Sequence, residues 1–112
     1  MRRALVVVLA CALGCALVAT ATAATKRIKI GDNYFVHDGG RPTVTVSTGD
    51  SVRWVWTGKA FHNVNVLRGP TMFHSPIRRK GKYRHTFDRA GTYIIYCSIH
   101  GIPDQVMKLV VR

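Results

Sequence analysis

The sequence predicts an all-β sandwich of seven to eight short strands in a single domain. Three observations carry that expectation. Thr43-Val44-Thr45-Val46 and Ser51 to Trp56 alternate along the chain, the second placing Val52, Trp54 and Trp56 on one face. Gly-, Pro- and Asp-rich turn signals recur at near-regular spacing between such runs. No segment beyond residue 24 carries a helical period.

In chain order, Lys26–Ile30 is the first strand, with Ile28 and Ile30 sharing a face. Gly31-Asp32-Asn33 and Asp38-Gly39-Gly40-Arg41-Pro42 mark turns on either side of Tyr34–His37. The two alternating strands follow, joined by Ser47-Thr48-Gly49-Asp50, and a short loop at Thr57–Ala60 leads to a strand expected over Phe61–Leu67. Arg68-Gly69-Pro70 turns the chain into its least regular stretch, Thr71–Lys80. Strands are then expected at Lys82–Phe87, Thr92–Cys97 and Val106–Val111, with Asp88–Gly91 turning between the first two. Tyr93, just after that turn, has the placement of a tyrosine corner, whose hydroxyl bonds back across the turn.

Residues 1–24 have a separate character. Arg2 and Arg3 precede an uncharged apolar run from Ala4 to Ala19, and Thr20-Ala21-Thr22-Ala23-Ala24 ends it in small residues. This is the form of a secretory signal peptide, cleaved near Ala23 or Ala24 to leave a domain over 25–112, exported to the periplasm or outside the cell. If uncleaved, the run would serve as a membrane anchor, the only membrane contact expected. Cys11 and Cys15 leave with the leader, so Cys97 is alone in the domain and has no disulfide partner.

Charge is one-sided: 17 Lys and Arg stand against 5 acids, all of them Asp, for a net +12, or +10 without Arg2 and Arg3. Such a field suits an acidic protein partner; without an aromatic-basic RNA motif, nucleic acid is not expected as a partner. A monomer is expected.

Chemistry concentrates in Tyr96-Cys97-Ser98-Ile99-His100-Gly101-Ile102-Pro103-Asp104-Gln105-Val106-Met107, with His62 upstream in Phe61-His62-Asn63-Val64. Two imidazoles and a thiolate in a trigonal set, with a weak axial thioether, suit copper cycling between Cu(I) and Cu(II). Alone, Cys97 would read as a small buried hydrophobe and His62 as a core histidine. Core packing is the alternative for Met107, and Met72 and His74 read as packing or surface groups.

These residues, together with Phe87-Asp88-Arg89-Ala90-Gly91-Thr92-Tyr93, resemble the cupredoxins, and within them the small blue copper proteins of the plastocyanin and amicyanin kind. The resemblance spans about residues 26–112. It implies a Greek-key β-sandwich holding one type 1 copper ion at one end. By matching position, it implies His62, Cys97 and His100 as equatorial ligands and Met107 as axial ligand. It implies that Asn63 ties down the ligand loop, and that His100 sits in a surface apolar patch with Gly101, Ile102 and Pro103. The chain departs in two respects: six residues separate His100 from Met107, more than the two or four of the best-known members, and the Gly often flanking the axial Met is absent, with Val106 before it and Lys108 after.

The function expected is an electron carrier, not an enzyme, serving redox protein partners. With all four positions filled by protein, no position remains for a substrate. Copper storage or delivery in the cell envelope is the alternative, disfavoured because only Met72 and Met107 follow the leader.

Overall fold

The computed structural model describes residues 22–36 and 43–112. The leader expected at 1–24 falls outside them except for its last three residues, as does the turn at 38–42. Among the described residues there is no helix; eight strands form two mixed, four-stranded sheets.

The strands are β1 (Thr25–Gly31), β2 (Tyr34–Val36), β3 (Thr43–Val46), β4 (Ser51–Trp56), β5 (Asn65–Arg68), β6 (Gly81–Thr86), β7 (Gly91–Tyr96) and β8 (Val106–Val111). One sheet has the order β2-β1-β4-β6 and the other β3-β8-β7-β5. β1 pairs parallel with β4, and β3 parallel with β8; every other pairing is antiparallel. Consecutive strands β3 and β4 therefore lie in different sheets, and so do β6 and β7. The chain arches between layers there, because each alternating strand has one apolar face that only the opposite sheet can cover.

Burial follows the two-residue period. Ile28 and Ile30 of β1, Val52, Trp54 and Trp56 of β4, Tyr93 and Ile95 of β7, and Met107, Leu109 and Val111 of β8 all point between the sheets. Each large side chain so placed stabilises the fold by about 1.5–3 kcal/mol relative to exposure. Trp54 is fully buried and makes tilted contacts with the rings of Phe73, Tyr83 and Phe87.

Two differences from the sequence reading bear on the site. Phe61–Val64 is not part of a strand ladder: β5 begins at Asn65, and His62 instead pairs with Arg78 through a single antiparallel bridge. His62 N–H donates to the Arg78 carbonyl at 3.0 Å and Arg78 N–H donates to the His62 carbonyl at 3.1 Å. The irregular segment Thr71–Lys80 thus supplies the backbone partner for His62 that no regular strand provides. The second difference is β2, too short to announce itself, which closes the edge of β1 beside the same end of the sandwich.

At the opposite end, the Tyr93 hydroxyl donates to the Arg89 carbonyl at 2.9 Å, four residues upstream, and lies 3.2 Å from Thr71 Oγ1. Gly69 lets the ring lie flat against the chain, since a Cβ there would stand 2.6 Å from Tyr93 Cδ1. Replacing Tyr93 by Phe removes the donor and with it the bond that closes the corner onto the Arg89 carbonyl. The expected loss is about 1–2 kcal/mol, read as a lower urea midpoint with unchanged slope.

Candidate metal centre

The site is built on the strand parity of β7 and β8. Tyr96 pairs with Val106, and one step further the Cys97 N–H donates to the Gln105 carbonyl at 3.0 Å. Cys97 and Gln105 are therefore opposite one another, both inward and both fully buried. Between them the chain makes a compact loop: Gly101 N–H donates to the Cys97 carbonyl at 2.8 Å and Gln105 N–H to the Gly101 carbonyl at 3.0 Å. Gly101 holds a φ of 72°, a left-handed conformation that an L side chain rarely adopts. This turn brings His100 back over Cys97.

His62, Cys97 and His100 come together, their ligand atoms all within 4.8 Å of one another. Cys97 Sγ lies 4.0 Å from His62 Nδ1 and 3.6 Å from His100 Nδ1. The two imidazoles are 4.7 Å apart between centroids. Bonds of about 2.0–2.3 Å at 120° would set such donors roughly 3.6–3.8 Å apart, so the trio needs only small shifts to close on a metal. His62 and Cys97 are buried, and His100 is partly exposed.

A side-chain oxygen faces this trio. Gln105 Oε1 lies 2.8 Å from His62 Nδ1 and 3.1 Å from His100 Nδ1. Its orientation is fixed from behind: Gln105 Nε2 donates to the Gly31 carbonyl at 2.9 Å and to the Tyr34 carbonyl at 3.0 Å. Both amide hydrogens are thereby committed to the β1–β2 turn, and the oxygen must face the histidines.

Met107, the expected axial group, is buried in the core cluster. It sits in β8 opposite Ile95, two residues beyond Gln105 on the same inward face. That displacement is about 6.6 Å along a strand, which carries Met107 into the apolar core. The side chain opposite Cys97 is Gln105. Met72 and His74, the other groups weighed, are exposed, Met72 at 66%.

Neighbouring residues hold the donors in place. Asn63, buried, makes a two-bond clasp on the ligand loop: its Nδ2 donates to Ser98 Oγ at 2.8 Å, and Ser98 N–H donates to its Oδ1 at 2.9 Å. Trp56 Nε1 donates to the His62 carbonyl at 3.0 Å. Asp32 lies behind His62, its Oδ1 at 2.9 Å from His62 Nε2. The hydrogen bond from His62, then those from the Ala60 and Lys59 backbone N–H groups, hold this carboxyl down to about 2. An ionised carboxylate only accepts, so the proton between them belongs to Nε2. In the neutral imidazole the lone pair is then on Nδ1, the nitrogen that faces Cys97 and Gln105.

Neither Gln105 nor Asp32 was singled out by the sequence reading. Four residues separate Gln105 from His100, one of the two spacings that the resemblance itself specified. Asp32 looked like turn chemistry, and no local signal links it to a histidine thirty positions away.

The surface around His100 combines apolar and basic groups. Phe61, Ile77, Ile99 and Ile102 are exposed. The Arg79 guanidinium lies 5.4 Å from the Phe61 ring centroid, and that of Arg78 lies 5.6 Å from the Trp56 ring centroid.

No family model matches the chain. Solved structures do. A Cu(I) structure of a methionine-to-glutamine variant of amicyanin is 29% identical, with a TM-score of 0.65 over 79% of this chain and 82% of that one. A Cu(I) methionine-to-alanine variant of amicyanin is 28% identical, with a TM-score of 0.63 over 84% of this chain and 88% of that one. A copper-containing nitrite reductase from Thermus scotoductus SA-01 is similar in fold, at 22% identity and a TM-score of 0.64, but the match spans only 22% of its length. With two four-stranded sheets and a His62–Cys97–His100 cluster at one end, the chain has the amicyanin-like cupredoxin fold and a candidate type 1 copper site.

Proposed function

We propose that this protein is an exported type 1 copper protein that passes single electrons between redox partners, with His62, Cys97, His100 and Gln105 as its metal donors. The observation that carries the proposal is the convergence of four electron-pair donors, His62 Nδ1, Cys97 Sγ, His100 Nδ1 and Gln105 Oε1, in one mostly buried pocket. Lone pairs facing one another at these distances repel unless a cation or proton lies between them. Two imidazoles and a thiolate select copper among the common choices.

Copper held there would supply a one-electron couple. The protein's part is to fill the coordination positions, exclude water and present one ligand edge to a partner. His100 is that edge, partly exposed between Ile99 and Ile102. A small apolar surface permits brief docking and rapid release. Support also comes from the amicyanin structures, which are Cu(I) forms. Residues 1–24 fit the role as a leader directing the domain out of the cytoplasm.

Loading the domain over 25–112 with Cu(II) is expected to give an intense thiolate-to-copper charge-transfer band in the visible spectrum. Cys97→Ser abolishes it, since no other thiol remains in the domain. A colourless Cu(II) complex of the parent domain would defeat the proposal.

The axial assignment separates cleanly by mutation. Gln105→Met exchanges a hard amide oxygen for a soft thioether, which favours Cu(I) and raises the reduction potential. Met107→Leu leaves spectrum and potential unchanged and costs less than about 1.5 kcal/mol of stability. Voltammetry in which Met107→Leu shifts the potential and Gln105→Met does not would reverse the assignment.

Basic groups give the docking surface its expected partner, an acidic redox protein. Arg78 runs beside His62 and Arg79 covers Phe61, so both border the apolar patch. Such a rim speeds encounter more than it tightens the complex. Association with the partner is expected to slow steeply as salt rises, and reversing Arg78, Arg79 and Lys80 to Glu slows it at low salt while colour stays constant. Stopped-flow rates indifferent to both changes would show that the charge plays no part in docking.

A further inference from the structure

We propose that the Asp32 carboxylate sets the reduction potential of the centre by acting through His62: it fixes which imidazole nitrogen faces the metal and places a full negative charge one ring away from it. The inference rests on the copper reading above and concerns a residue outside the ligand set.

The geometry is specific. Asp32 lies in the β1–β2 turn, where Asn33 adopts a φ of 68°. Its Oδ1 accepts from His62 Nε2 at 2.9 Å and from Ala60 N–H at 3.0 Å, and Lys59 N–H reaches both oxygens at 3.1 Å. One carboxylate thus gathers an imidazole and two backbone donors, joining the β1–β2 turn to the loop that carries His62. Gly58 makes the approach possible, because a Cβ there would collide with the Asp32 carboxylate and stand 2.9 Å from its backbone nitrogen. The same turn also fixes Gln105, through the Gly31 and Tyr34 carbonyls. Two of the four donors are therefore oriented by one turn, one by neutral carbonyls and the other by a charged group.

The difference between carbonyl and carboxylate matters. A neutral carbonyl would fix the tautomer equally well. A carboxylate does so and also raises the basicity of the imidazole, strengthening its bond to the more highly charged Cu(II). The ring is fully buried while half of the carboxylate faces water, with its side chain 45% exposed. Solvent weakens the direct charge effect, but not the polarisation carried through a 2.9 Å hydrogen bond. Asp50 and Asp88 lie in turns at the other end of the sandwich. Asp104 is exposed in the ligand loop, and no bond joins it to a ligand histidine among the described residues. Among the described residues, Asp32 is the acid so placed, in a domain whose net charge is strongly positive.

The test compares the copper-loaded parent protein with Asp32→Asn and Asp32→Glu. Asn keeps an acceptor for Nε2 and loses the charge. Loss of a partner behind a ligating histidine lowers metal affinity by roughly 10–100-fold, and here the loss is expected to fall on Cu(II) more than on Cu(I). Each tenfold change in that ratio appears as a rise of about 59 mV in a one-electron potential. Asp32→Asn is therefore expected to stay coloured with a raised potential, and Asp32→Glu to return the potential toward that of the parent. An Asp32→Asn protein that is coloured and has the parent potential overturns the inference. A second measurement needs no variant: 15N NMR of the Cu(I) parent should show His62 carrying its proton on Nε2, hydrogen-bonded. Metallation at Nε2, or no proton there, overturns the inference even if Asp32→Asn does not fold. Failure of the parent to form a coloured Cu(II) complex is a separate result, which removes the copper reading itself.

Discussion

The hydrogens of Gln105 and the Nε2 proton of His62 are committed outside the centre. The Gln105 amide hydrogens bind the Gly31 and Tyr34 carbonyls, and the His62 Nε2 proton binds Asp32. What these two residues turn inward is the Gln105 Oε1 and the His62 Nδ1, 2.8 Å apart, beside the Cys97 sulfur and the His100 ring. That convergence is favourable only if something positive lies among them, and the sandwich is the frame that makes it affordable. Cys97 and Gln105 are fixed by the last rung between β7 and β8, and His62 by a bridge to Arg78 and a bond from Trp56. His100 is placed by the turn at Gly101.

The strands were largely legible because their signal is local. β3, β4 and β8 begin and end where alternation begins and ends. The strand expected at Phe61–Leu67 was placed too early because its apolar residues continue the alternation through Phe61, although the ladder starts only at Asn65. Polarity in that stretch reflects enclosure by the site and not a sheet: Asn63 is buried because it clasps Ser98. Three donors of the centre were likewise legible, since thiol and imidazole are conspicuous and Cys97 is the one cysteine after the leader. The fourth was not. A thioether two residues away is the more familiar soft donor, and glutamine carries no such mark. Strand parity cannot choose between Gln105 and Met107, since both face inward; the proposal of Gln105 rests on the rung that sets it opposite Cys97 and on its contacts with the two histidines. Asp32 was illegible for a stronger reason: its role exists only through a contact between distant segments.

Charge and apolar surface meet at the same end of the molecule for topological reasons. β7 rises to Cys97 from the turn at which β6 ends, so the start of β6 and the segment before it return to the metal end. Arg78 and Arg79 are carried there with it and rest on aromatic rings. Their stems cover apolar surface while their charges face solvent, as amphipathic side chains do. The patch is therefore shielded from indiscriminate association without being closed to a partner of opposite charge.

The rung between Cys97 N–H and the Gln105 carbonyl closes the ligand loop at its base. Everything between those two residues lies outside the β7–β8 ladder, and Ile99, Ile102, Pro103 and Asp104 are exposed. The loop is in this sense a cassette. Its length and composition can change without disturbing the register of the sheets, provided that a donor faces Cys97 across the rung and an imidazole folds back above it. Selection can then retune surface and redox behaviour by exchanging seven residues, while the two sheets beneath persist as an inherited chassis.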